Sequence, residues 1–202
     1  LELAIEQVRL TSSSPLCGRT LANANVRQTF GVVVVGIQRQ GGRMEFNPPP
    51  EAAMAPDDCL VVMGRPESLR KLEAAARGDA EAQFIIASRY LDGQGVEQDL
   101  PAAARWFQLA ATGGLAPAQY RLGTLFERGK GVPQDIANAL LWYQRAAASG
   151  NVKSMHNAAV ILAGNQAGPP KFDEAYRLFK DAAERGLKDS QFNLAVLAER
   201  GL

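Results

Sequence analysis

The strongest constraint in this sequence is a period. GDAEAQF begins at Gly78, GLAPAQY at Gly114, GNVKSMH at Gly150 and GLKDSQF at Gly186, a spacing of 36 residues each time. A spacing of that length, held without slippage, belongs to stacked supersecondary units that bury their apolar faces on one another. Within the units Ala103, Ala139 and Ala175 recur, as do Ala110, Ala146 and Ala182, while a bulky position holds Trp106, Trp142 and then Leu178. Small residues at one place and large ones at another let two helices per unit approach closely and interdigitate with the next pair. The spacing predicts helices over 80–91, 100–112, 116–127, 136–148, 152–163, 172–184 and 188–200.

The A-Q-[FY] at the start of the first helix, the G-x-G-V-x-x-D corner and the A-x-x-W-[FY]-x-x-A-A of the second helix resemble the Sel1-like repeat family over residues 78–202. That resemblance implies an all-α α/α solenoid of about three and a half repeats that works as a protein-binding surface. The wording GVPQDIANALLWYQRAAASGNVKSMHNAAVILA is similar to the repeat region of bacterial polar localisation factors, which implies a periplasmic origin for this part. One corner, Gly129-Lys130-Gly131, looks at first like a phosphate cradle. It falls 36 residues after Gly93-Gln94-Gly95, however, where glutamine replaces the lysine. With no GKS or GKT ending and no strand before it, the segment reads as a helix-ending turn, with Asp99 and Asp135 placed to cap the helices that follow.

The first third is different. Leu3, Ile5, Val8 and Leu10 alternate imperfectly, GVVVVGI at 31–37 is a β-branched run suited to a strand covered on both faces, and CLVVMG at 59–64 repeats that character. Gly41-Gly42 turns between IQRQ and RMEF, residues 18–27 fit a short helix, and Pro66 opens another with Leu69 and Leu72 at helical spacing. The order is βαβββα. PLCGRTL, GVVVVGIQRQGGRMEFNPPP and APDDCLVVMGRPESLRKLE together resemble the TrkA-C domain, the C-terminal lobe of regulators of potassium conductance. The resemblance implies an α+β lobe over residues 1–77 that dimerises, senses a ligand and regulates a potassium channel or transporter in the cytoplasm. The nucleotide-binding lobe and pore helix expected beside such a domain do not occur in this sequence, so gating is not expected from this polypeptide alone.

Some TrkA-C domains bind a cyclic dinucleotide, and the positions that would correspond are Val33, Val34, Arg39, Asn47 and Pro49. An arginine and an asparagine beside an apolar strand suit a phosphate and a base. Equally, the valines suit a core or dimer interface, Arg39 a solvated hairpin, and Asn47 to Pro50 a strand terminator. Asp57-Asp58 reads as a turn before a strand in preference to a metal pair.

Charge points to no polyanionic partner: 22 Lys and Arg balance 21 Asp and Glu, a net +1. No apolar run approaches the roughly 18 residues of a membrane span. Cys17 and Cys59 stand far apart without metal-ligand spacing and read as small buried hydrophobes. The one histidine, His156, takes the slot filled by Phe84, Tyr120 and Phe192 in the other units, so it is expected to pack. With no base beside a nucleophile and no dinucleotide fingerprint, neither catalysis nor a cofactor is expected.

Arg121, Asn157 and Asn193 share one repeat position, after Ile85 in the first unit. They form a ladder able to hold an extended peptide, or an ordinary solvated row. Residues 69–76 run as a helix into Arg77-Gly78 with no flexible spacer, so a fixed junction is expected there. Cytoplasmic and periplasmic resemblances in one spacer-free chain, which starts at Leu1 and stops abruptly at Gly201-Leu202, suggest an engineered helical fusion; a natural two-domain adaptor is the alternative. Under either history the expected product is a homodimeric scaffold.

Overall fold

The computed structural model describes residues 3–199, and their packing divides into one unit that runs to Gln98 and another that begins at Asp99. In the first, β1 (Ala4–Arg9), β2 (Val32–Gln38), β3 (Met44–Phe46) and β4 (Cys59–Gly64) form one antiparallel sheet in the order β1-β4-β2-β3. Register across its three long strands aligns Val8, Leu60 and Ile37 in one row, all buried, and Ile5, Met63 and Val33 in another. An irregularity between Val34 and Gly36 adds one residue to β2, which keeps Val33 and Gly36 on the same face while Ile37 turns to the core.

α1 (Leu21–Ala24), α2 (Val26–Phe30) and α3 (Pro66–Ala76) complete the lobe. The single helix expected over 18–27 is two, because Asn25 adopts a left-handed conformation (φ 48°) and its N–H bonds to Ala22 O. Asparagine tolerates that geometry better than most side chains. Thr20 starts α1 by accepting the Asn23 N–H at 3.1 Å. α3 buries Leu69, Leu72, Ala75 and Ala76 completely, and each leucine contributes about 1.5–3 kcal/mol. α2 contacts β2, and α3 contacts both β1 and β4. The valine run is therefore not covered on both faces as expected. Val33 is 41% exposed, since antiparallel sheets commonly leave one face open.

α4 (Ala80–Asp92) is a repeat helix by sequence, yet it packs with the lobe. Asp79 caps it through Ala82 N at 2.9 Å, and Ile86, Ala87 and Tyr90 are buried. The Tyr90 and Thr29 hydroxyls are hydrogen-bonded, both buried. Thr29 gives its own proton to Asn25 O at 2.8 Å, so Tyr90 is the donor.

The second unit is α5 (Leu100–Thr112), α6 (Ala116–Arg128), α7 (Ile136–Ala148), α8 (Val152–Ala163), α9 (Phe172–Glu184) and α10 (Lys188–Glu199), each packed on the next. These match the expected spans within a residue; position 200 lies outside the described residues. The recurrent alanines at 103, 139, 175, 110, 146 and 182 are all buried to 0% exposure, as the close approach of helices requires. Asp99 and Asp135 cap α5 and α7 through Ala102 N (2.8 Å) and Asn138 N (2.9 Å). At the third such corner Lys171 stands instead and makes no side-chain cap.

Gly78, Gly114, Gly150 and Gly186 open equivalent units, with φ of 87°, 88°, 86° and 89°. After each, the next residue's N–H reaches back five residues: Asp79 to Ala74 O, Leu115 to Ala110 O, Asn151 to Ala146 O and Leu187 to Ala182 O, at 3.0–3.2 Å. This is the Schellman closure of a helix C-terminus. The Lys130 corner is likewise a turn, with left-handed Gly129 and Gly131 matching Gly93 and Gly95.

Close approach is tightest at Gly123 in α6, where a Cβ would lie 2.8 Å from the Tyr143 ring and 3.3 Å from Ala139 O. Replacing Gly123 with Ala, the residue at the equivalent positions 87, 159 and 195, is expected to destabilise the chain by about 1–3 kcal/mol in a denaturant titration. An unchanged midpoint would show that the ring has room to move.

Candidate functional site

Two places on the lobe gather chemistry. The first is the open face of the sheet, where Ile5 (65% exposed), half-buried Met63 and Val33 lie side by side across β1, β4 and β2. The next row sets Val61 beside Gly36 and Phe46, and Phe46 is 78% exposed. The second is a cleft of about 360 Å³ at one end of β2. Val33 and Val34 line it together with Pro48 and Pro50, and its polar groups come from Asn25 and Arg27.

The structure brings together only part of the ligand set expected from sequence. Val33 and Val34 share the cleft, and Pro49 sits in the proline turn between two of its lining residues. Asn47 is exposed in a left-handed conformation (φ 46°), with its N–H bonded to Val35 O at 3.0 Å. Arg39 is engaged elsewhere: its guanidinium meets Glu45 at 2.7 Å, Asp58 at 2.8 Å and Ala53 O at 2.7 Å. Asp58 is only 2% exposed and also accepts Ala55 N–H at 2.8 Å, so the arginine neutralises a buried carboxylate and ties the 53–58 turn to the hairpin. Asp57-Asp58 is the turn expected from sequence, with Asp57 left-handed (φ 66°). Sequence reasoning missed Asn25 and Arg27. The trace they left was the pair of asparagines in LANANVRQ, which marks a break in an otherwise helical stretch.

In the repeats, Arg121 is exposed on α6, whereas Asn157 and Asn193 are half-buried on α8 and α10. Asn157 hydrogen-bonds the Tyr143 hydroxyl, which also donates to Glu127 at 2.6 Å and lies 3.2 Å from Thr124 Oγ1. Burial first, and then the Glu127 carboxylate, push the Tyr143 phenol far up, so it stays protonated and structural. His156 packs edge-on against Phe179, with ring centroids 5.6 Å apart, and its Nδ1 is 2.8 Å from Ser190 Oγ. Both thiols are pushed up by burial, so neither Cys17 nor Cys59 is a ready thiolate.

A small antiparallel lobe continuous with stacked helix pairs defines a regulatory domain joined to a helical-repeat interaction module. The comparisons agree: the TrkA-C domain family matches residues 5–77, and the Sel1 repeat family matches 80–115, 116–151 and 152–187. The chain belongs to the Sel1 repeat family and carries a TrkA-C domain ahead of the repeats. Among curated proteins it is similar to the K(+)/H(+) antiporter subunit KhtT of Bacillus subtilis, 31% identical over 71 residues, or 35% of this chain and 43% of that protein. The match thus spans less than half of the relative. Among solved structures it is similar to a Sel1 repeat protein from Oxalobacter formigenes (31% identity, TM-score 0.59, 63% of this chain and 96% of that one). It is also similar to c5321, a protective antigen of uropathogenic Escherichia coli with an SLR fold (29% identity, TM-score 0.63, 67% of this chain and 29% of that one). These families are regulatory and interaction types. Among the described residues no helix is long and apolar enough to cross a membrane.

His156 offers a pH test of the repeat packing. Burial lowers its pKa below the usual histidine value, with Asp189 opposing in part. A depressed value means that the folded chain resists protonation. The stability this contributes is full above about pH 6.5 and is lost as pH falls through the folded-state value. The melting temperature should therefore drop on acidification below about 6.5, and His156→Phe should make that drop shallower. Equal slopes for the two chains would remove the histidine from the account.

Proposed function

We propose that this chain is a non-catalytic, dimerising adaptor: its TrkA-C lobe pairs two copies, and its Sel1 repeats hold a protein partner. One observation carries the reading, the open apolar sheet face of Ile5, Met63, Val33, Val61 and Phe46. A contiguous apolar surface of this kind marks an interaction site, and a two-fold axis through it would set the same side chains against themselves. The likeness to an antiporter subunit supports a place in potassium-transport regulation, on the cytoplasmic side.

The 77/78 boundary is retained for the two modules, with α4 a repeat helix by period and a lobe helix by packing. The buried Thr29–Tyr90 hydroxyl pair needs a fitted residue on both sides of that boundary. This supports a natural two-module protein over an engineered fusion.

Light scattering on the eluting chain should give the mass of a dimer. Ile5→Asp with Val33→Asp should give a monomer with an unchanged circular dichroism spectrum, since both side chains already face water. A monomeric unsubstituted chain would end this reading.

The cleft favours a second reading, in which the lobe binds a cyclic dinucleotide. Val33, Val34 and Pro48 would stack a base, and Arg27, not Arg39, would meet a phosphate. A cyclic dinucleotide should raise the melting temperature, and Arg27→Glu should abolish the rise; a rise that survives the substitution places the ligand elsewhere.

A further inference from the structure

A separate cleft of about 340 Å³ opens where α2, α3 and α4 meet. Its walls are apolar: Phe30 from α2, Ala74 from α3, and Ile85 and Ile86 from α4. Ile86 is buried, but Ile85 is 55% exposed at the mouth, more than a large aliphatic side chain in a packed helix seam would show. Around the mouth stand three cations, Arg70 and Lys71 on α3 and Arg89 on α4, against the single carboxylate of Glu67. That local excess is set in a chain whose charges otherwise nearly cancel.

The cations are not equivalent. Arg89 is oriented by bonds from its Nε to Gln94 O (3.1 Å) and from Nη1 to Thr29 O (3.4 Å), which hold it beside the Thr29–Tyr90 pair. Arg70 and Lys71 are exposed, and among the described residues neither is engaged in an ion pair, although Glu73 and Arg77 on the same helix are paired.

We propose that this cleft binds a small anionic amphiphile, a monocarboxylate with a medium-length alkyl chain or an aromatic body. Three features select that class. The volume lies at the small end of ligand pockets, too little for a folded partner. The apolar walls suit a hydrocarbon and offer few acceptors to a polar ligand such as a sugar or nucleotide. The cationic mouth supplies charge-assisted donors to a carboxylate and disfavours a cation. The occupant touches α2 and α3 on one side and α4 on the other, so it strengthens the docking of the first repeat helix on the lobe. The site is independent of the sheet face and of the Val33 cleft.

The test is calorimetric titration of the whole chain with decanoate, below the concentration at which decanoate forms micelles. Saturable binding is expected, with protection of α4 amides from hydrogen exchange. R70E/K71E, which alters two exposed side chains and should melt like the unsubstituted chain, should weaken binding by at least about tenfold. Ile85→Glu, also at an exposed position, should weaken it independently, while Val33→Asp should leave it unchanged. Absent saturation, undiminished affinity in R70E/K71E, or equal affinity for decyltrimethylammonium would each overturn the proposal. Binding of an acidic apolar peptide without binding of decanoate would also overturn it and assign the surface to a protein.

Discussion

One backbone constraint organises this molecule: a helix must end, turn and restart in the same way every 36 residues. A left-handed residue costs little only at glycine, and the four glycines at 78, 114, 150 and 186 hold φ within a few degrees of one another. Each lets the following N–H close onto a carbonyl five residues back, so the last turn of one helix is satisfied as the next begins. Side-chain amides reinforce the closure: Gln119 donates to Ala111 O at 3.1 Å and Gln191 to Ala183 O at 3.2 Å. With the corner fixed, the alanines fall where helices touch and the aromatics where they interlock.

The lobe obeys a different constraint, a sheet with one face committed to its own core. Alternation along β1, β2 and β4 sends Val8, Leu60, Val62 and Ile37 inward and leaves Ile5, Met63 and Val33 outward. Polar residues are the usual occupants of such an outer face. On this face aliphatic side chains stand in their place, Ile5 65% and Val33 41% exposed. The Arg39–Asp58 pair belongs to the scaffold that holds this arrangement, since it anchors the turn entering β4 to the hairpin leaving β2.

How much of this was legible in the sequence follows from the range over which each signal acts. Periodic features announce themselves repeatedly, so the repeat helices, their aspartate caps and the glycine corners could be read from spacing alone. The succession of strands and helices along the lobe was legible from local alternation, but which valine faces water was not, because the irregularity at Val34 and Gly36 shifts the pattern by one residue. Site residues were the least legible. Arg39 finds its partners 6 and 19 residues away, and Thr29 finds Tyr90 across 61. Nothing in composition distinguishes an arginine bound for a buried carboxylate from one bound for a ligand. Asn157 is a similar case, because its amide is engaged by a tyrosine one helix earlier.

A stack of helical repeats ordinarily needs a specialised end unit with a polar outer side, because its first helix would otherwise present half a core to water. Here α3 ends in the same glycine corner as the later repeat helices and lies against α4, so the lobe covers that first helix of the repeat pattern. Stripped of that lid, Ile86, Ala87 and Tyr90 would lose their cover. A helix that belongs to the repeats by period is thus folded into the core of the neighbouring lobe, and whatever loosens the lobe bares that helix's apolar side first.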